Sequence, residues 1–172
     1  MRRLSETGKL GKPRISLRPV RIEDSADIFE GIAQGDLLPA VPGSDRVRST
    51  SDAAGMLAGL IGRMDRGDEF HFSVCLDGDR VVGMCAIYDF MPDGSARVGY
   101  WIGRGYRRRG FGREAVRQLS EFAFAELGVR RVVAVSGASN EASLRLLSSL
   151  GFKEEMGKGG NGEKAFSLER GR

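Results

Sequence analysis

The chain has 172 residues, of which 41% are hydrophobic and 29% are charged, and this predicts one folded domain with a core of its own. The charged fraction is average and no apolar run approaches the ~20 residues of a membrane span, which excludes an intrinsically disordered chain and a transmembrane helix. The net charge of +4 is modest and unevenly distributed.

Residues 1–21 form a basic segment with seven Lys or Arg residues and one acidic residue, Glu6, for a charge of +6. The other 151 residues carry 20 basic and 22 acidic side chains, for a charge of −2. The segment lacks the apolar centre of a secretory signal peptide, so we expect a cytoplasmic protein. No aromatic residues interleave it and no nucleic-acid-binding motif accompanies it, so nucleic-acid binding is not predicted. We expect a solvated basic arm at residues 1–13, whose order stays open, and a single domain at residues 14–172.

The first half of the chain predicts one strand and two helices. Residues 14–18 alternate between polar and apolar like a short strand, and apolar residues then recur at helical spacing from Ile22 to Ala33. A polar, proline-containing linker at 35–48 leads to a second helix over residues 52–66, which follows side-chain oxygens able to cap it at 49–51. Strand and helix are therefore mixed from the start.

Three strand-like runs follow, at residues 70–76, 80–88 and 95–102. The turns that join them are short and contain Asp-Gly and Pro, residues that favour tight turns. Consecutive strands with such short connections predict an antiparallel meander.

Two cysteines, Cys75 and Cys85, are too few for a disulfide scaffold and lack the clustered partners of a zinc site, so no metal is predicted. They flank the Asp-Gly turn. If Leu76 pairs with Val81, the two thiols lie on opposite faces of the sheet. We interpret both cysteines as small core residues.

The rest of the chain mixes strands and helices. An arginine- and glycine-rich loop leads to an amphipathic helix that begins near Arg113 and ends at Gly128. Three strands complete the pattern, at 131–136, 152–155 and 163–168, and a helix at 141–150 lies between the first two of them. Because strands and helices do not alternate strictly, the chain predicts an α+β fold with a mostly antiparallel sheet.

The loop before this helix carries the chemistry. From Arg97 to Arg113 there are six arginines and no acidic residue. Backbone N–H groups and the helix dipole favour a bound anion at the helix N-terminus, and Gly110 and Gly112 permit close approach. We expect a phosphate or pyrophosphate there.

Two nucleotide-binding motifs fit this loop poorly. The first half of a Walker A loop is present, but Phe111 and Gly112 stand where Lys and Ser or Thr must be, so nucleotide hydrolysis is not predicted. Residues 110–115 fit G-x-G-x-x-A, yet they come eight residues after the strand ends at Ile102, and the ribose-binding acid is missing. A dinucleotide-binding fold is therefore not predicted either.

A third motif fits, because Arg107-x-x-Gly110-x-Gly112 resembles the Q/R-x-x-G-x-G/A loop of the GNAT superfamily of N-acetyltransferases. The resemblance covers about residues 15–168 and is strongest to the Rim-type branch, whose founding members acetylate the N-termini of ribosomal proteins. The matching segments, in order, are Leu17-Arg18-Pro19 with Glu23-Asp24, Asp77-Gly78 with Val82-Gly83, Val98-Gly99-Tyr100-Trp101-Ile102, Asn140-x-x-Ser143, and Leu150-Gly151-Phe152.

The resemblance implies a mixed, mostly antiparallel sheet flanked by about four helices. It also implies a V-shaped split between two central parallel strands, here residues 95–102 and 131–136. The implied activity is transfer of an acetyl group from acetyl-CoA, without a metal, to a primary amine that attacks directly in a ternary complex. The pantetheine of acetyl-CoA would lie in the split.

The same resemblance implies the site residues. N–H groups of residues 108–113 would take the pyrophosphate, strand-edge groups near Trp101 and Ile102 would pair with pantetheine amides, and Asn140 would lie near the thioester. The implied cofactor-binding residues are Trp101, Ile102, Arg107, Arg108, Arg109, Gly110, Phe111, Gly112, Arg113, Asn140 and Ser143. Two alternatives stay open: Trp101 as plain core and Asn140 as a helix N-cap only.

The chain departs from its relatives at two catalytic positions. Arg97 stands where many relatives carry a glutamate, and Leu147 stands where many superfamily members have a tyrosine that protonates the leaving thiolate. Asn140 and Asp89 are the catalytic candidates. Positioning, desolvation and the helix start near Asn140 would then carry catalysis. Further candidates for a base are Glu69 and His71, although a structural role for His71 is the simpler interpretation.

The acceptor is open between a protein or peptide N-terminal amine, which we favour, and a small amine. A weak base suits an α-amino group with a pKa of ~7.7 to 8.0 better than a lysine near ~10.4. Two other functions stay open, a non-catalytic acyl-CoA-binding module and an RNA- or ribosome-associated basic module. The sequence does not decide whether the protein is a homodimer.

Overall fold

A computed structural model describes residues 15–34, 44–157, 160 and 162–171. The predicted arm at 1–13 and the linker residues 35–43 lie outside the described residues. The strands β1 to β7 are Ile15–Pro19, Phe70–Leu76, Arg80–Tyr88, Ser95–Ile102, Arg131–Gly137, Lys153–Glu154 and Glu163–Glu169. The helices α1 to α4 are Ser25–Ala33, Thr50–Asp65, Phe111–Ala125 and Glu141–Ser149.

The seven strands form one sheet in the order β1-β2-β3-β4-β5-β7-β6. All neighbouring strands are antiparallel except β4 and β5, which run parallel. Strands β2, β3 and β4 form the predicted meander, because their turns are too short for any other connection. The prediction of an α+β fold with four helices and a mostly antiparallel sheet is confirmed.

The helices divide between the two faces of the sheet. On one face, Leu119 of α3 and Leu147 of α4 belong to the larger core, together with Ile102 of β4. On the other face, Leu57 of α2 belongs to a second core that includes Trp101 of β4. Successive side chains of β4 thus contribute to two separate cores, as the alternation of a strand requires.

The parallel ladder between β4 and β5 is short. Only Ser95–Arg97 pair with Arg131–Val133. Beyond that point β4 continues to pair with β3, and β5 continues to pair with β7. We call the unpaired stretch between residues 98–102 of β4 and 134–137 of β5 the split. Its position agrees with the one implied by the resemblance.

The hairpin of β2 and β3 contains a bulge that sequence reasoning missed. Cys75 pairs with Val81 and not with the predicted Val82, and the register shifts between Val74 and Cys75. Val82 is the extra residue, because Val74 pairs with Gly83. The extra residue restores the alternation, so Cys75 lies in the second core and Cys85 in the larger one. The predicted register is wrong by one residue, but the prediction of opposite faces is correct.

The first matching segment of the resemblance forms a buried ion pair. Arg18 and Asp24, each 4% exposed, join in a bidentate contact with N–O distances of 2.8 and 2.7 Å. The carboxylate also accepts hydrogen bonds from the Ser73 hydroxyl at 2.6 Å and the Arg21 N–H at 2.9 Å. Asp24 ends a 3-10 turn over Ile22–Asp24, so α1 begins at Ser25 and not at the predicted Ile22.

Candidate active site

The arginine-rich loop ends at the N-terminus of α3. Gly110 is the N-cap, with φ of 84° and no side chain that caps the helix. The helix starts at Phe111, two residues before the predicted Arg113, and its first intrahelical bond joins the Glu114 N–H to the Gly110 carbonyl. The N–H groups of residues 111–113 therefore have no partner within the helix, and they form a positive helix end suited to an anion.

The two glycines of the loop serve different purposes. Gly110 has a positive φ and open space around its missing β-carbon, so glycine is favoured there by conformation. A β-carbon at Gly112 would lie 3.2 Å from Leu146 Cδ1 and 3.2 Å from Tyr100 Cε2. Gly112 therefore allows α3 to pack against β4 and α4. The part of both glycines in the approach of an anion stays a prediction.

Three of the four arginines around this helix start already contact the protein. Arg107 Nε donates to the Ile102 carbonyl at 2.8 Å, and the Arg109 guanidinium lies 4.9 Å from the centre of the Phe111 ring. Arg113 donates to the Ser149 hydroxyl at 3.2 Å and to its carbonyl at 3.3 Å. Arg108 makes no hydrogen bond, ion pair or ring contact to residues that the structure describes.

The alternation of hydrogen bonds shows which backbone groups line the split. The Gly103 N–H donates to the Val82 carbonyl on β3. Every second residue of an antiparallel strand directs its backbone groups to the same neighbour, so the N–H and C=O of Trp101 also point to β3. The N–H and C=O groups of Tyr100 and Ile102 consequently point toward β5. On β5, the Ala138 N–H donates to the Gly162 carbonyl on the side of β7. The backbone N–H and C=O groups of residues 135 and 137 therefore point away from β7, into the split.

Trp101 lies beside the split. Its indole is 5% exposed and packs in the second core, and its Nε1 has no hydrogen-bond partner within the described parts of the chain. The core alternative for this side chain agrees with its burial, and its contact with a cofactor stays a prediction.

Sequence reasoning missed Tyr100, since only the register of β4 shows that Tyr100 and Ile102 share the inner edge.

The start of α4 faces the split from the side of α3. Asn140 is the N-cap, and its side-chain oxygen accepts the Ser143 N–H at 3.2 Å. The Tyr100 hydroxyl donates to the Ser143 hydroxyl at 3.1 Å, which joins β4 to α4 across the end of the split. Burial raises the pKa of Tyr100, although Ser143 opposes the shift. Leu147 is 1% exposed and lies in the larger core.

Comparison with known proteins shows the family. The family model described as the acetyltransferase (GNAT) domain matches residues 14–153. The chain belongs to the GNAT family. It is 28% identical over 147 residues to an uncharacterised N-acetyltransferase, p20, of Bacillus licheniformis, which covers 83% of this chain and 80% of that protein.

Solved GNAT structures share its fold. The ribosomal alpha-N-protein acetyltransferase RimL, in complex with coenzyme A, superposes with a TM-score of 0.77 at 17% identity, over 90% of this chain and 93% of that one. The microcin self-immunity acetyltransferase MccE, in complex with acetyl-CoA and AMP, also gives 0.77 at 15% identity, over 91% and 92%. The resemblance to GNAT enzymes with Rim-type neighbours is confirmed, and the protein is an N-acetyltransferase of this family.

This GNAT chain holds its candidate bases in ion pairs. Asp89 is exposed, has a φ of 50° and lies 3.4 Å from Arg97. Glu69 accepts from Arg63 Nε at 2.8 Å and from His71 Nε2 at 2.7 Å. Burial would raise the pKa of Glu69, but His71 and Arg63 together hold it below its usual value.

His71 is 5% exposed, and burial lowers its pKa although Glu69 opposes the shift. It is therefore neutral near pH 7 and donates its Nε2 proton to Glu69, which agrees with a structural role. Within the described ranges, no helix is long and apolar enough to cross a membrane, and no three His, Cys, Asp or Glu side chains are grouped as metal ligands.

Proposed function

We propose that this GNAT enzyme acetylates the α-amino group of a protein or peptide N-terminus, using acetyl-CoA. One observation favours this acceptor: Asp89 and Glu69 are both ion-paired with arginines, and His71 is buried. A site whose candidate bases are held in this way deprotonates a lysine poorly, since only about one lysine in a thousand is neutral near pH 7.5. An α-amino group, with a pKa of ~7.7 to 8.0, is substantially neutral without help.

We propose that acetyl-CoA lies in the split with its pyrophosphate at the start of α3. The N–H groups of residues 111–113 and the side chain of Arg108 would hold the phosphates. The edge groups of Tyr100 and Ile102 would pair with the pantetheine amides, and a backbone donor of this edge would stabilise the oxyanion. Asn140 would orient the start of α4, whose positive end favours the leaving thiolate. The neutral amine attacks the thioester carbonyl, the carbon–sulfur bond breaks, CoA leaves as thiolate, and the proton lost by the nitrogen passes to solvent.

Mass spectrometry of acceptors after incubation with acetyl-CoA tests the proposal. One peptide should carry a free α-amine and no lysine, and its partner should carry a blocked α-amine and one lysine. We expect a gain of one acetyl group on the first peptide only. Acetylation of small amines in preference to both peptides would identify a small-molecule acceptor, the alternative that the complex of MccE with acetyl-CoA and AMP keeps open. Tight CoA binding without thiol release for any amine would identify a non-catalytic module.

Acetyl-CoA or CoA should stabilise the fold, whereas NAD and ATP should do so far less. Of these ligands, only CoA and acetyl-CoA carry both a pyrophosphate, which would bind at the start of α3, and a pantetheine chain, which would lie in the split. A ligand at 100 times its dissociation constant adds about 2.7 kcal/mol to the free energy of unfolding. Thermal melting at equal ligand concentrations measures the difference, and a shift with NAD equal to that with CoA would contradict the assignment.

The pH profile of kcat should rise to a plateau. Leu147 offers no phenol at the position from which many relatives protonate the thiolate, so no acid with a pKa near ~10 should impose a falling limb. A thiol resembling cysteine, with a pKa near ~8.5, can leave as thiolate at alkaline pH. The measurement is kcat from about pH 6 to 10, with Leu147→Phe as a steric control. A reversible fall above about pH 9 that disappears in Tyr100→Phe would contradict the plateau.

A further inference from the structure

Tyr88 extends from β3 across β4 toward the split. It ends β3 and pairs with Arg97. A β-carbon at Gly99 would lie 3.3 Å from Tyr88 Cε1 and 3.6 Å from its hydroxyl oxygen, so the ring lies over this glycine. Gly99 is two residues beyond the last pair between β4 and β5, Arg97 with Val133. The hydroxyl therefore lies near the point where the split begins.

The Tyr88 side chain occupies the face of the sheet that α3 and α4 leave uncovered. Gly99 and Trp101 direct their substituents to this face, opposite the larger core. Helices α1 and α2 pack on it over β3 and β2. On β5, Val135 points to the same side and is 38% exposed. With α3 and α4 on the other face, a substrate can reach the split from the side of Tyr88.

The Tyr88 hydroxyl makes no hydrogen bond to any part of the chain that the structure describes. The phenol is half-buried, and burial raises its pKa. It is therefore a neutral group that can both donate and accept at pH values where the enzyme works. A partly buried polar group without a protein partner is suited to hydrogen-bond a substrate.

The charges around this phenol favour a cation. Arg97 faces it from β4, and Asp89 follows it directly after the end of β3. Glu69 precedes the first residue of β2, and Glu163 begins β7 beside the end of β5. Arg63 of α2 pairs with Glu69. Three carboxylates therefore oppose two guanidinium groups. This surplus of negative charge stabilises the positive charge that develops on the nitrogen as a neutral amine attacks.

We propose that the Tyr88 hydroxyl contacts the acceptor amine and orients the attacking nitrogen, an inference that rests on the proposed acetyl transfer. The amine N–H donates to the phenol oxygen, which leaves the nitrogen lone pair directed at the thioester carbon in the split. The phenol keeps its own proton throughout. Gly99 is a positioning residue, because it leaves the space in which the Tyr88 ring lies flat.

The first test is Tyr88→Phe, assayed with an acceptor that the wild-type protein acetylates. We expect kcat/KM for the acceptor to fall at least tenfold, while KM for acetyl-CoA, CoA affinity and the denaturation midpoint stay unchanged. An unchanged kcat/KM for the acceptor would overturn the inference and leave the proposed function intact. A loss that coincides with weaker CoA binding or lower stability would also overturn it. If the wild type acetylates no amine, the proposed function itself fails.

A double-mutant cycle with Gly99→Ala separates orientation from general damage. The added methyl group pushes the ring without removing the hydroxyl, so Gly99→Ala should also lower kcat/KM for the acceptor. In the Tyr88→Phe background the same change should have little further effect, since no hydroxyl is left to displace. Fully additive losses would overturn the inference. The matched control is Gly55→Ala on α2, where a β-carbon meets nothing within 4 Å and activity should not change.

Discussion

Replacing Gly110 by aspartate should weaken CoA binding roughly 10- to 150-fold relative to replacement by asparagine, as measured by titration calorimetry. A carboxylate about 5 Å from two phosphate charges costs about 1.5 to 3 kcal/mol at a solvent-exposed helix end. Both residues tolerate the positive φ of position 110, and nothing lies within 4 Å of its missing β-carbon. The aspartate and asparagine variants therefore differ in charge but have side chains of nearly the same shape.

The stability of these two variants provides the control. A negative charge at the N-terminus of α3 interacts favourably with the helix dipole, so the aspartate variant should unfold at an equal or higher denaturant concentration than the asparagine variant. Affinity and stability should thus change in opposite directions. Equal CoA affinity of the two variants would show that the anion binds elsewhere. Substitution at Gly112 is a poorer probe, because a side chain there presses on Tyr100 and Leu146.

Replacing Asp24 by alanine should lower the free energy of unfolding by about 3 to 5 kcal/mol, because it removes the bidentate partner of the buried Arg18 guanidinium. Arg18 then keeps only longer contacts, to the exposed Asp79 at 3.3 Å and to the Pro19 carbonyl at 3.4 Å. The same change removes the acceptor of the Ser73 hydroxyl and the Arg21 N–H. Urea unfolding measures the loss. Asp68→Ala is the control, since the Arg66–Asp68 pair is exposed and such pairs contribute ~1 kcal/mol or less. A similar cost for both variants would contradict a structural role for the buried pair.

The same pair makes stability depend on pH. Burial would raise the pKa of Asp24, but hydrogen bonds from Arg18, Ser73 and Arg21 outweigh burial and hold it below its usual value. A carboxyl whose folded-state pKa is lowered stabilises the fold above its unfolded pKa of ~3.9, and this contribution is lost as the pH falls further. The difference in stability between the wild type and Asp24→Ala should therefore shrink below about pH 4.

The central strands were predictable because their signals are local. Short turns and alternation gave Phe70–Leu76, Arg80–Tyr88 and Ser95–Ile102 with the bounds that the structure shows. The bulge at Cys75 was not predictable, since an extra residue in a strand changes no local propensity. The ladder pairs Val74 with Gly83 and Cys75 with Val81, so Val82 is the extra residue and lies on β3.

The anion loop was recognisable from residue spacing, but the tasks of its side chains were not. Spacing identified Gly110 and Gly112 together, whereas only packing shows that Gly112 accommodates Tyr100 and Leu146. Likewise, the contact of Tyr88 with Gly99 joins residues from two strands, and it depends on register and on the direction of a ring. Such contacts are set by tertiary structure, which a single sequence does not encode in any local pattern.

The short parallel ladder also bears on how this sheet avoids association with other chains. Unpaired strand edges usually lie at the border of a sheet, where they can recruit a strand from a neighbouring molecule. Here unpaired groups of β4 and β5 lie in the middle of the sheet, and each strand is paired with β3 or β7 on its outer side. Because β4 and β5 stay joined as far as Arg97 and Val133, the gap between them is closed at one end. The split thus keeps hydrogen-bonding groups available to a small molecule without adding an unpaired strand edge at the border of the sheet.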